Sequence, residues 1–125
     1  MLLRLYIAVL GSLCSSPSVG YAADIEHGKI VFKQCEGCHS VVPGEHRFGP
    51  SLAGVVGRAA GSLKGYEFSD ALTKVKFRWT AAGLSEWVSD EAKNKVPGTR
   101  MEFPGLPNPT DVNDLVAYLA TLKAK

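Results

Sequence analysis

The chain has 125 residues, with 14 basic and 12 acidic side chains and a formal net charge of +2. That length bounds it to one domain, and so balanced a charge excludes nucleic acid as its partner. Its only soft or nitrogenous metal donors are three cysteines, three histidines and two methionines.

The N-terminus reads as a processed segment. Arg4 precedes an uncharged stretch from Leu5 to Ala23, apolar through Leu13 and then broken by Pro17 and Gly20. Gly20-Tyr21-Ala22 places small residues at the −3 and −1 positions of a cleavage site after Ala22. This is the layout of a secretory signal peptide, residues 1–22, leaving a single domain over 23–125 exported to the periplasm. A retained membrane anchor is the alternative, but Pro17 and four serines make a poor hydrocarbon span. Cys14 leaves with the segment, and Leu13 before it is not the small residue a lipoprotein cysteine needs. Without Arg4 the mature chain has 13 basic and 12 acidic groups, formally +1.

Asp24 can cap a first helix whose apolar positions Ile25, Gly28, Phe32 and Cys35 recur every three or four residues. That helix delivers Cys35-Glu36-Gly37-Cys38-His39, the attachment signature of c-type haem. Each thiol can add across one vinyl group of the porphyrin. The two-residue gap on a helical turn sets the sulfurs about one vinyl-to-vinyl distance apart, and the adjacent histidine lies under the iron as proximal ligand. A thioredoxin-like redox pair and half a zinc site are the competing readings of CxxC. Zinc would want further ligands at spacing, and only Cys14, His27 and His46 remain. A redox pair would sit in a βαβ pattern, and no β-rich run flanks this one.

From Ser40 to Gly65 two prolines and six glycines signal loop without strand alternation. A short helical turn is expected over residues 69–75. Thr80 can start a further helix carrying Leu84, Trp87 and Val88; Lys95 to Pro109 reads as loop again. The clearest helix is the last, beginning at Thr110, with Val112, Leu115, Val116, Leu119 and Leu122 forming an apolar stripe. Such long loops in a small domain normally count against an assignment. A large apolar macrocycle explains them, because they would wrap it in place of a protein core.

A sixth iron ligand follows by elimination. Met1 leaves with the signal peptide, so Met101, in the proline-stiffened run Val96-Pro97-Gly98-Thr99-Arg100-Met101, is the one thioether left. A soft thioether favours Fe(II) and raises the reduction potential. Taken alone, a single methionine is more often an apolar gap-filler.

With these features in place the chain closely resembles the class I cytochromes c, especially the branch of bacterial cytochrome c2 and mitochondrial cytochrome c. The resemblance spans the mature chain. It rests on the CxxCH run, Phe48-Gly49-Pro50-Ser51-Leu52, Val56-Gly57-Arg58, Gly65-Tyr66, Trp79, the 96–101 run and Asp114-Leu115-Val116-Ala117-Tyr118-Leu119. It implies an all-α, five-helix fold of short helices and long loops around one haem c, attached covalently through Cys35 and Cys38. It also implies that Pro50 offers its carbonyl to the proximal imidazole of His39. Arg58, Tyr66 and Trp79 would bond or neutralise a buried propionate, and His46 would pin one loop to another. Gly28 and Phe32 would form the face crossing Leu115 and Tyr118. Phe68 stands where many relatives have a tyrosine that donates to a propionate. Leu72 replaces a frequent asparagine. Trp87 occupies the region of a tyrosine that often bonds the methionine sulfur. The proline-rich run Pro104–Pro109 has no assigned role.

The function so implied is that of a soluble, monomeric periplasmic carrier of single electrons, not an enzyme and without a small-molecule substrate. Its partners would be redox proteins: a donor such as a bc1-type complex or a dehydrogenase, and an acceptor such as an oxidase or reductase. A cytochrome dedicated to one dehydrogenase is the alternative. A haem peroxidase or gas-binding protein would need an open sixth site, against which Met101 argues. Lys33, Arg47, Lys93, Lys95 and Arg100 are candidates for a cationic ring around the haem edge.

Overall fold

The computed structural model describes residues 22–125, so the signal-peptide reading, with Cys14, falls outside the described residues. Among these described residues five α-helices follow in order: α1 Ile25–Val31, α2 Asp70–Thr73, α3 Ala81–Val88, α4 Ala92–Lys95 and α5 Pro109–Ala120. Among the described residues the only strand-like pairing is one antiparallel bridge, Ala59 to Arg78. No helix there is long and apolar enough to cross a membrane.

Three of the helix starts are capped as their sequences suggest. The Asp24 carboxylate accepts the His27 N–H at 3.0 Å, Ser69 accepts from Leu72, and Thr80 accepts from Gly83 at 3.0 Å. The last helix differs from expectation. It begins at Pro109 rather than Thr110, and Asn108 caps it by accepting the Thr110 N–H at 2.9 Å. Pro109 belongs to the helix because a first-turn residue has no intrahelical use for the N–H that proline lacks. The short helix α4 is also new, since four residues are too few to leave a periodic apolar pattern.

The core is organised by α1 lying across α5. At the crossing a Cβ on Gly28 would stand 1.9 Å from the Asp114 carbonyl oxygen and 2.9 Å from Tyr118 Cβ. Only glycine lets the two backbones come so close. One turn on, Phe32 meets Tyr118 edge-to-face at 5.7 Å. The approach is therefore to Asp114 and Tyr118, while Leu115 packs beside it, fully buried. Ile25, counted on the same face by spacing, is 45% exposed instead. The α5 stripe of Val112, Leu115, Val116 and Leu119 is buried and meets Leu84, Trp87 and Val88 of α3 in one cluster. Each such side chain contributes about 1.5–3 kcal/mol on burial. The long loops 40–69 and 96–108 close over the remaining side, and there they enclose a cavity.

Candidate functional site

The chain leaves α1 through a single 3-10 turn, Phe32–Gln34, and keeps coiling through the cysteine motif. The Cys38 and His39 amides both donate to the Cys35 carbonyl, at 3.0 and 2.9 Å. This winding brings Cys35, Cys38 and His39 to the wall of one cavity of about 320 Å³. Burial, with the neighbouring Cys38 thiol adding to it, pushes the Cys35 thiol up to about 11. A protonated thiol is a poor start for disulfide exchange or zinc binding, which both need thiolate. No cluster of three or more histidine, cysteine or acidic side chains with metal-binding geometry occurs among the described residues.

His39 is held from two sides. Its Nδ1–H donates to the Pro50 carbonyl at 2.8 Å, which leaves Nε2 as a bare lone pair. Gly49 lies flat against the ring, since a Cβ there would stand 2.4 Å from Cε1. Burial lowers the His39 pKa; the Pro50 bond opposes this and Arg58 adds to it, so the imidazole is neutral and able to donate. The loop that supplies Gly49 and Pro50 is pinned by Ser51, whose hydroxyl donates to the Val42 carbonyl at 2.7 Å and accepts from Ala53 at 3.2 Å. His46 joins this pinning within its own loop, accepting the Ser51 N–H at 3.1 Å. Its reach across this long loop is an edge-to-face ring contact with Tyr66, centroids 5.8 Å apart.

Met101 lines the same cavity, partly buried. The Trp87 indole N–H donates to its Sδ at 3.1 Å, the contact that a tyrosine of this region makes in many relatives of the family it resembles. Trp79 meets Trp87 edge-to-face at 4.9 Å, and Leu72 and Phe68 complete this apolar wall. Sequence spacing does not record this contact, because it depends on how two segments 14 residues apart are packed.

The remaining expected residues also converge here: Pro50, Arg58, Tyr66 and Trp79 all line the cavity. Arg58 is more than half buried and lowered in pKa by that burial. Its guanidinium donates to the carbonyls of Ser51 and Ala53 at 3.1 and 3.4 Å, yet it has no carboxylate partner among the described residues. A buried cation without a counter-charge is expensive. The Tyr66 hydroxyl already donates to the Phe48 carbonyl at 2.6 Å, bracing the mouth. Two thiols, a bare imidazole nitrogen, a thioether, apolar walls and an unmatched buried cation, Arg58, fit a large flat apolar group with an anionic edge. Of the candidate ring cations only Arg100 lines the cavity. Arg47 pairs with Glu45 at 3.6 Å and Lys93 with Glu91 at 2.7 Å, which neutralises them locally.

Comparison with known proteins agrees with this geometry. The family model for cytochrome c matches residues 25–123. The chain is 46% identical to cytochrome c2 iso-2 of Magnetospirillum molischianum over 92 residues, covering 74% of this chain and 94% of that one. It is 43% identical to cytochrome c2 of Rhodoblastus acidophilus over 104 residues, 82% of this chain and 96% of that one. Among solved structures, cytochrome cH from Methylobacterium extorquens superposes with a TM-score of 0.74 at 45% identity, over 79% of this chain and 99% of that one. The chain therefore belongs to the cytochrome c family, as a class I, one-haem electron carrier whose haem c is covalently bound.

Proposed function

We propose that this chain shuttles single electrons between redox proteins of the periplasm, with haem held by thioethers to Cys35 and Cys38 and ligated by His39 and Met101. Bound haem supplies a one-electron couple. The chain's own residues fix its two sides: Pro50 orients His39 so that Nε2 faces the cavity, and Trp87 holds the Met101 sulfur. Arg58 offers a buried positive charge to an anionic edge, with Tyr66 and Trp79 beside it on the wall. With His39 and Met101 both holding the iron, no position would stay open for a small molecule, so the reading is a carrier rather than an enzyme. Residues 1–22 serve as the export signal and 23–125 as the single carrier domain.

The observation that carries the ligand assignment is that His39 Nδ1 is committed to Pro50 while the one described methionine sulfur shares the cavity. Met101→Ala tests it. The weak near-infrared sulfur-to-iron(III) band should vanish and the reduction potential should fall, because a soft donor favouring Fe(II) is lost. Carbon monoxide should then bind readily. A variant with unchanged spectrum and potential would assign the sixth position to another group.

A further inference from the structure

Charge is unevenly distributed along this chain. Residues 46–66 and 71–85 contain Arg47, Arg58, Lys64, Lys74, Lys76 and Arg78 and no acidic residue, although the whole chain carries only +2. The fold lays these two segments side by side. Around the Ala59–Arg78 bridge, Ala60 N–H donates to the Phe77 carbonyl at 3.0 Å, Trp79 N–H to Arg58 at 2.8 Å, and Gly57 N–H to Trp79 at 2.7 Å. Gly61 packs directly on the end of α2, since a Cβ there would stand 2.6 Å from the Leu72 carbonyl oxygen. The turn holding Lys64 thus adjoins the start of the Lys74–Arg78 stretch. Arg58 lines the cavity and Arg47 pairs with Glu45. Lys64, Lys74, Lys76 and Arg78 are exposed and form no ion pair among the described residues. The four cations stand on adjoining stretches of chain, with Glu67 and Asp70 the acidic residues between those stretches in sequence.

The same ribbon has an aromatic side. Alternation along extended chain puts Lys76 and Arg78 on one face and Phe77 and Trp79 on the other. Phe77 is 40% exposed and does not line the cavity, so a bound cofactor would not cover it. It meets Trp79 edge-to-face at 4.9 Å, Trp79 meets Trp87 at 4.9 Å, and Trp87 donates to Met101 Sδ at 3.1 Å. An unbroken run of aromatic contacts therefore leads from the cationic ribbon to the cavity.

We propose that the ribbon face of Lys64, Lys74, Lys76 and Arg78, with Phe77 at its edge, docks an acidic one-electron redox protein at a place other than the cations Lys93, Lys95 and Arg100. The proposal rests on the electron-carrier reading above. Charge complementarity would steer and orient the partner, and the aromatic run would couple it to the haem cavity. One electron passes from the reduced partner to the oxidised cytochrome, or the reverse, with no bond or proton moving. An anionic lipid surface would meet the same charges, but it would have no use for the path from Phe77 to Met101.

The test uses the holoprotein and a deca-glutamate peptide tagged with ruthenium tris-bipyridine. At low ionic strength, amide shifts on titration should group at residues 61–65 and 74–78. Lys64→Glu with Lys74→Glu and Lys76→Glu should weaken binding about tenfold or more, as reversal of several unscreened charges does. Light-excited ruthenium gives one electron to the oxidised cytochrome, and Phe77→Leu should slow that transfer several-fold within the bound complex, compared at saturating peptide so that the rate is read apart from any change in binding. Shifts grouped instead at Lys93, Lys95 and Arg100, or a triple variant that binds as before, would overturn the docking face. An unchanged rate in Phe77→Leu would overturn the coupling. Vesicles of mixed neutral and anionic phospholipid that sediment the protein, with no peptide shifts, would assign the face to lipid and also overturn it. Dithionite reduction of the same samples tests the carrier reading separately: if the haem still cycles, only the docking proposal has failed.

Discussion

The α1–α5 crossing and the loop-lined cavity solve opposite packing problems within one small domain. At the crossing the chain completes itself: Gly28 admits the Asp114 backbone, Phe32 fills against Tyr118, and the buried Asp114 carboxylate accepts from Asp24 at 2.9 Å and from His27 at 2.8 Å. In the cavity the chain leaves matters unfinished. His39 Nε2 faces a space lined by Leu52, Leu72 and Trp79, and Arg58 has no counter-charge among the described residues. One half is a protein core, and the other is a mould for a covalent cofactor. Their sensitivities should differ accordingly, because one half depends on backbone fit and the other on what is attached.

The largest effect should come from emptying the mould. Cys35→Ser with Cys38→Ser should abolish covalent haem, read as loss of haem staining on a denaturing gel. The apolar walls would then be left facing water. A domain this size has only about 5–15 kcal/mol to lose, so the double variant should also lose its cooperative unfolding transition and most far-ultraviolet helix signal. A double variant that still stains, or that melts like the parent, would break the contrast between the two halves. Next in size is the crossing. Gly28→Ala places a Cβ 1.9 Å from a carbonyl oxygen, so α1 must shift. Overpacking of this kind costs about 3 kcal/mol, more than the roughly 1 kcal/mol that alanine returns in helix propensity. Urea unfolding should show the loss while the haem spectrum stays essentially as in the parent.

The two halves were unequally legible in the sequence. Covalent chemistry is local, so the spacing of Cys35, Cys38 and His39 prescribed its own cofactor. All eight expected site residues, from Cys35 to Met101, line one cavity. What the sequence did not carry was reach and pairing. The Trp87 N–H bond to Met101, the Gly49 contact with the His39 ring, and Asp114 as the acceptor that joins α1 to α5 depend on distances between segments far apart in the chain. The expected cationic ring was drawn from charges in sequence. Arg47 and Lys93 turn out to be matched by Glu45 and Glu91, only two residues away.

A smaller effect sharpens the cavity side. Trp87→Phe keeps the apolar wall and removes the donor to the Met101 sulfur. A neutral hydrogen bond of this kind is worth about 1 kcal/mol or less. The indole N–H draws electron density from the sulfur, which disfavours Fe(III), the state that needs the donation more. Its removal should lower the reduction potential modestly, with the near-infrared sulfur band kept but shifted. Voltammetry and absorbance on one sample check both. A potential that rises, or a band that disappears, would show Trp87 acting through packing rather than through its N–H.

The smallest effect should lie at the crossing, where one titrating group is half in water. His27 sits between Asp114 at 2.8 Å and Asp111 at 3.7 Å, with Asp24 nearby, and its side chain is 39% exposed. The Asp114 hydrogen bond, first among these, raises the His27 pKa above its ordinary value, while Asp114 is lowered by the Asp24 N–H and then by His27. A raised histidine stabilises the fold fully below its unfolded value of about 6.5, and that contribution fades as pH rises through the raised one. A lowered carboxylate acts above its unfolded value of about 3.9 and is lost as pH falls through the lowered one. Both contributions are present between roughly pH 4 and 6.5, where His27 is charged and Asp114 ionised. His27→Ala should therefore lower the urea midpoint near pH 5 and change it progressively less as pH rises and the parent itself loses the imidazolium. Solvent screening keeps the difference small. Parent and variant midpoints that run parallel across that range would show that the α1–α5 contact owes its stability to Gly28 and Phe32 packing, with nothing added by the His27 charge.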